Sequence, residues 1–278
     1  MISQPDARRG RGRKTTPTPV ANLARERDLP LLQPERISEA TEEISHHDAL
    51  VVAAYGQILR SDTLHAATHG AWNVHASLLP AYRGAAPIER AIMAGEKKTG
   101  VTIIRMDEGL DTGPIALQRG MDVPKDMIGG ELYECLALLG ANAIVEGLIL
   151  LQDNRLTLTE QDSLNATYAA KLSSEDLRVR WDRPAESIHN MVRALAPRPG
   201  ARAFHPEING PIKILRSEVA EPSGKYLTAG DIYAGNECIL VGCGTGTLEV
   251  KELQLPGAKR IGADDFLRGN ILAGSFLR

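Results

Sequence analysis

"GAWNVHASLLPAYRGAAPIERAIMAGEKKTGVTIIRMDEGLDTGPIALQRGMDV", residues 70–123, decides the fold. "GAWNVHASL" is a short apolar stretch stopped by a Leu-Leu-Pro turn, which suits a strand. "APIERAIMAGEK" reads as a helix with Pro87 in its first turn, where its missing N–H costs nothing. "TGVTIIRMD" and "GPIALQRGMDV" are two further strands joined by the turn-rich "EGLDTG". Strands alternating with a helix predict an α/β layered domain with a mostly parallel sheet.

The flanks extend the pattern. Upstream, residues 20–27 have helical composition and "DLPLLQP" is extended between prolines. "ISEATEEIS" predicts a helix with Ser38 as its N-cap and acidic residues early. The apolar run opening "ALVVAAYGQIL" predicts a strand buried on both faces. "RSDTLHAAT" predicts a helix capped by Ser61 or Asp62. Downstream, "GGELYECLALLGANAIVEGLILLQD" predicts one long helix. Its apolar part, residues 141–151, is broken by Glu146 and Gly147, so we expect a buried helix and no membrane span.

The texture changes from Arg178 on. The helix "PAESIHNMVRAL" precedes a Pro/Gly-rich turn and then short strands, "PIKILRSEV", "CILVGCGTGTLEVKELQL" and the end piece "DDFLRGN". That predicts a small β-barrel or sandwich. The expected organisation is a catalytic domain over 1–157, a linker over 158–176 and a second domain over 177–278.

Composition narrows the function classes. Hydrophobic residues make up 43 % and charged residues 24 %, as in a soluble globular protein. The net charge of −3 argues against nucleic acid bound over the whole surface, though not against a local basic patch. Such a patch exists in sequence: Arg8, Arg9, Arg11, Arg13 and Lys14 are interleaved with Gly10 and Gly12. By composition it is either a solvated tail or a mobile arm for phosphates. Three cysteines without C-x-x-C spacing predict neither a disulfide framework nor a zinc site, and fit a reducing cytoplasm. His46, His47, His65 and His69 show no metal-ligand pattern with carboxylates, so no metal is expected.

Within the opening stretch, Asn73 and His75 alternate onto one face of their strand, at its C-terminal end, where open α/β sheets bind ligands. Asp111 lies in the loop between the two later strands. Each residue alone has a bland reading: His75 bonded to backbone, Asp111 in an Asx turn. Together they are a set suited to attack of an amine on a carbonyl. Asn donates without titrating, His exchanges protons near neutrality, and Asp orients the His or moves a proton through water. Ser77 lacks the flanking glycines of a nucleophile elbow, so no covalent acyl-enzyme is expected.

"NVHASLLPAYRGAAPIERAIMAGEKKTGVTIIRMDEGLDTGPI" resembles the core of the formyltransferases that use 10-formyltetrahydrofolate. "QPDARRGRGRKTTPTPVANLA", "LPLLQPERI" and "AAYGQIL" resemble, more narrowly, those that formylate methionyl initiator tRNA. The likeness continues through "TYAAKLSSEDLRVRWDRPAESIHNMVRALAPRPGA". It implies a Rossmann-like formyltransferase domain followed by a small OB-like barrel. It implies that Asn73, His75 and Asp111 are catalytic, with Asn73 and His75 polarising the formyl oxygen. It implies that Ser77, Leu78, Leu79 and Pro80, with Tyr55 and Gly56, meet the folate co-substrate. Arg8, Arg9, Arg11, Arg13 and Lys14 would grip the tRNA acceptor stem. The expected protein is a cytoplasmic monomer, active in translation initiation, with initiator Met-tRNA as partner. The likeness also implies about thirty residues ahead of Met1 in family members, so that here the sheet would lack its first, central strand. Two alternatives stay open: a formyltransferase for a sugar-nucleotide or other small amine, and an inactive truncated copy that at most binds tRNA.

Overall fold

The structure is a computed structural model and describes residues 1–9, 14–220, 227–235, 238–270 and 272–277. It divides into two compact units: Met1–His75, Val101–Arg119 and Gly140–Asn165 form one, and Ala76–Gly100, Gly120–Leu139 and Ala166–Arg278 the other.

The first unit is organised by a four-stranded sheet in the order Leu50–Val52, Ala71–His75, Lys98–Arg105, Ile115–Asp122. Leu50–Val52 and Ala71–His75 run parallel, but Ala71–His75 and Lys98–Arg105 run antiparallel. The sheet is therefore mixed rather than mostly parallel. Val101, Ile103 and Ile104 are buried on it. Beside Leu50–Val52 a small apolar cluster of Ile37, Ile44, Leu59, Leu64 and Ala71 takes in Ile2 and Tyr55. Val51 is 42 % exposed, so this strand is not buried on both faces as expected.

Local chemistry explains the other departures. Residues 37–45 form a 3-10 turn, Ile37–Ala40, and then a short helix, Thr41–Ser45. Ser38 caps neither, because Ile37 and Ala40 pack into the core and set the turn, while Gln57 Oε1 accepts from the Ile37 N–H at 2.9 Å. The helix Ser61–Leu64 starts without a side-chain cap. Asp62 instead accepts from the backbone N–H of Thr63 at 2.7 Å.

The long helix spans Gly129–Gln152. Its length and a mean hydropathy of 1.8 over an 18-residue window meet the requirement for a membrane span by composition alone, as the core helix of a soluble protein also can. Its apolar second half is not buried throughout. Ala143 and Gly147 are covered while Val145 and Ile149 are more than half exposed. Gly140 lets it lie on the sheet, since a Cβ there would come within 2.7 Å of Val74 Cγ1.

The second unit is built on a six-stranded sheet. Its path is Ile232–Ala234, Ile239–Gly242, Thr247–Gln254, Ile212–Ala220, Ala201–Ala203, and Arg260–Gly262 also pairs with Thr247–Gln254. Every pairing is antiparallel. Register shifts near Arg216 bend the longest strand, as bulges do in small curled sheets. The helix Ala185–Leu195 buries Ile188, Val192 and Leu195 in the core with Ile212, Ile214, Val241 and Leu248. Trp181 is fully buried and stacks on Phe276 at 5.1 Å. The end piece expected as a strand is instead the helix Ala263–Leu267. Ala263 and Phe266, three apart, share its buried face, and Asp264 and Asp265 suit its positive N-terminal end.

Within this unit Arg90, on the helix Pro87–Met93, holds Asp176 bidentately at 2.7 and 3.0 Å. The backbone N–H and hydroxyl of Ser173 donate to the same carboxylate, each at 2.8 Å. Arg90 first, and Ser173 after it, hold the Asp176 carboxyl well below the usual carboxylate range. A folded-state value that is depressed stabilises the fold above the unfolded value and is lost as acid protonates the group. Asp176→Asn is therefore expected to cost about 1–2 kcal/mol at neutral pH. Urea unfolding of both proteins should show a gap between midpoints that begins to narrow below about pH 4 and shrinks steadily as the pH falls further. A gap that persists unchanged at pH 3 would refute this account.

Candidate active site

The strand Ala71–His75 carries the site because pairing fixes its alternation. Asn73 lies opposite Ile104 and His75 opposite Thr102 on the antiparallel neighbour. Trp72, on the other face, is buried and donates from Nε1 to the carbonyl of His69 at 3.1 Å. Asn73 and His75 thus leave the sheet on one side, as their spacing requires. His75 is 5 % exposed. Thr102, beside it, is fully buried and accepts from Gln118 Nε2 at 3.0 Å.

Asp111 comes to them from the loop between the strands Lys98–Arg105 and Ile115–Asp122. Asn73 Nδ2 donates to Asp111 Oδ1 at 3.3 Å, and His75 Nδ1 stands 3.5 Å from Asp111 Oδ2. Each carboxylate oxygen therefore faces one of the two strand side chains. Asp111 is 14 % exposed, so the group is screened from bulk water on most sides.

The loop is held from several directions. Asp107 Oδ1 accepts from the Gly109 N–H at 3.0 Å and from the Thr112 hydroxyl at 2.7 Å. Gly113 passes so close to the end of its neighbouring strand that a Cβ would sit 1.9 Å from the Arg105 carbonyl oxygen. Asp111 itself has φ +53°, in the left-handed region that non-glycine residues seldom occupy. Gln161 Nε2 donates to the carbonyls of Asp111, at 2.8 Å, and Gly113, at 2.7 Å.

The other expected contacts distribute as follows. Ser77 is buried and donates its hydroxyl to the Ala81 carbonyl at 2.6 Å, so it shapes the turn. Leu79 is buried, Leu78 and Pro80 are partly so, and the Pro80 carbonyl accepts from Thr167 N at 3.3 Å. Residues 77–80 belong to the second unit, whereas Tyr55 and Gly56 belong to the first. The Tyr55 carbonyl accepts from Gln4 Nε2 at 2.7 Å, and the Tyr55 hydroxyl is buried with no hydrogen-bond partner among the described residues. Burial pushes that phenol above its usual value. Gly56 has φ +80°, which suits glycine at this strand end.

In the basic stretch, Ala7–Arg9 and Lys14–Thr16 form an antiparallel pair in which Arg9 lies opposite Lys14 and Arg8 opposite Thr15. Arg11 and Arg13 lie outside the described residues. At the root of this pair Asp6 Oδ1 accepts from Gln33 at 2.7 Å and Asp6 Oδ2 from Arg25 at 3.3 Å. Sequence reasoning missed Asp6, Gln33 and Gln161, which are ordinary polar residues in segments without periodicity.

Comparison with known proteins places the chain in a family. Residues 1–148 match the family model described as formyl transferase, and residues 171–270 match formyl transferase, C-terminal domain. A methionyl-tRNA formyltransferase of Rubrobacter xylanophilus is 60 % identical over the whole of this chain and 91 % of its own length. That of Syntrophomonas wolfei is 44 % identical over 97 % of this chain and 87 % of its own. Among solved structures, an N-formyltransferase from Helicobacter canadensis in complex with folinic acid and dTDP-3-aminofucose superposes with a TM-score of 0.67. It is 18 % identical and covers 93 % of this chain and 87 % of its own. HypX from Aquifex aeolicus in complex with tetrahydrofolic acid gives a TM-score of 0.65 at 17 % identity, over 87 % of this chain and 43 % of its own. At these identities the two structures establish the shared fold.

Proposed function

The chain belongs to the formyl transferase family, and on that premise we propose that it formylates the α-amine of methionyl initiator tRNA, with 10-formyltetrahydrofolate as donor. The observation that carries the reading is the convergence of Asn73, His75 and Asp111 at one strand end in a chain 60 % identical to a methionyl-tRNA formyltransferase.

The residues fit the chemistry. The co-substrate brings a formyl carbonyl on its N10: the amine attacks that carbon and loses a proton, the bond from the formyl carbon to N10 breaks, and N10 leaves as the protonated amine of tetrahydrofolate. The Asn73 amide carries two protons. One is bonded to Asp111, and the second is the donor for negative charge that builds on the formyl oxygen. His75, across the carboxylate from Asn73, is the second donor to that oxygen. Asp111 orients both side chains and takes the amine's proton. No metal has a role in these steps.

Ser77, Leu78, Leu79 and Pro80, with Tyr55 and Gly56, are assigned to the folate. Arg8, Arg9, Arg11, Arg13 and Lys14 are assigned to tRNA phosphates, and the backbone pairing of Arg9 with Lys14 brings the two ends of this basic stretch together. A cytoplasmic monomer working away from the membrane completes the reading. Its support is the sequence itself: three cysteines without paired spacing fit a reducing compartment.

The test is formylation of Met-charged initiator tRNA by the purified chain, with free methionine and an amino-sugar nucleotide as competing amines. Turnover on the charged tRNA alone is expected. Replacing the five basic residues by Ala should weaken tRNA binding and flatten its salt dependence by roughly one log–log unit for each phosphate no longer neutralised. Formylation of the small amines without regard to tRNA would overturn the substrate assignment. Binding of tRNA with no turnover would support a non-catalytic copy.

A further inference from the structure

Beyond the long helix the chain returns to the site loop. Thr159 and Ile115 exchange both backbone hydrogen bonds, at 2.8 and 2.9 Å. Two residues later Gln161 spends both protons of its amide nitrogen on the carbonyls of Asp111 and Gly113. These two carbonyls bracket Thr112, so the amide acts as a clip across the turn that carries Asp111. The turn needs one. Asp111 holds a left-handed φ of +53°, a conformation that persists only where its surroundings impose it. In that conformation its two carboxylate oxygens face Asn73 Nδ2 and His75 Nδ1.

We propose that Gln161 is a positioning residue for Asp111: by clipping the carbonyls of Asp111 and Gly113 it fixes the carboxylate between Asn73 and His75, without itself touching substrate. The catalytic role of Asp111 rests on the function proposed above. The clip itself does not.

The test uses Gln161→Met, which keeps the length and removes the donor, and Gln161→Glu, which sets a carboxylate against two carbonyls. In formylation of Met-charged tRNA, kcat should fall about 10- to 100-fold, as displacement of a positioned group by an ångström does, with KM for both substrates within about 2-fold. In an Asp111→Asn background, Gln161→Met should add less than about 3-fold, because residues acting through one another are not additive. A second readout does not need activity. With 15N-labelled histidine, only the His75 ring signal of the seven histidines should move in Gln161→Met, and toward its position in Asp111→Asn.

Wild-type kcat with an unmoved His75 signal would overturn the proposal, as would loss of all seven signals' native positions, which would make Gln161 a general structural residue. Full additivity with Asp111→Asn would also overturn it. If the function were misassigned instead, the wild-type chain would not formylate the tRNA, yet the His75 signal would still shift in both variants.

Discussion

Asn73→Ala lowers formylation of methionyl initiator tRNA by about 100- to 1,000-fold, with tRNA binding nearly unchanged. The magnitude is that of losing one preorganised donor to a developing oxyanion, roughly 2.7–4 kcal/mol of barrier. Two features of this site put the effect at the upper end. Asn73 sits beside a His75 that is 5 % exposed, so little water can replace the lost donor. The same amide also bonds Asp111 Oδ1, so its removal takes a donor from the carboxylate as well. His75→Ala should fall in the same range. Because the two donors share Asp111, the double variant should cost far less than the product of the single losses. The check is steady-state kinetics of the two single variants and the double, beside tRNA binding by filter retention. Near-wild-type turnover in either single variant would sink the assignment of the strand end as the catalytic centre.

Gly113→Ala is expected to be as damaging as removing a catalytic side chain, although it adds only a methyl group. The new Cβ would fall 1.9 Å from the Arg105 carbonyl oxygen, 3.0 Å from its carbon and 3.3 Å from Asp107 N. These are backbone atoms of a paired strand and its exit, and they cannot swing aside as a long side chain would. The loop must withdraw instead. Its hydrogen bonds from Arg105 N to Pro114 O, at 3.0 Å, and from Gln161 to Gly113 O, at 2.7 Å, then stretch or break. Loss of two such bonds costs about 1–3 kcal/mol, a fall in Tm of roughly 2–12 °C for a chain of this size. Asp111, two residues away, moves with the loop, so turnover should drop about 100-fold or more. Calorimetry and kcat on the same preparation separate the two effects. Turnover within 3-fold of wild type would show that the loop has slack that the close contacts deny.

How far the sequence reveals this depends on the kind of interaction. Asn73 and His75 are legible because strand alternation is rigid: two residues apart means one face, and the Leu-Leu-Pro turn marks the strand's end. Asp111 is legible as a turn residue between strands, and the fold brings it to the other two. Gln161 is not. Its bonds span 50 and 48 residues of chain, and no periodicity ties a connector glutamine to a loop carbonyl. The helix Ala263–Leu267 reads wrongly for a related reason. Five residues hold too little of a 3.6-residue period to be told from a strand. The strand Leu50–Val52 is found where its apolar run lies, but burial on both faces depends on neighbours that a single segment cannot declare. The mixed sheet is hidden likewise. The helix between Ala71–His75 and Lys98–Arg105 suggests a parallel crossover, yet pairing direction is set by where the chain re-enters the sheet.

The left-handed backbone at Asp111 also sorts the replacements that this position will tolerate. Glycine and asparagine accept a positive φ at little cost, whereas valine, isoleucine and threonine resist it strongly. Asp111→Asn and Asp111→Gly therefore delete the charge and spare the turn, while Asp111→Val deletes both. Set side by side, the three form a chemical ruler. The first two read what the carboxylate contributes, and their distance from the third reads what the peptide bend contributes. An alanine scan, the usual instrument, would add the two together at this position and credit the sum to the side chain.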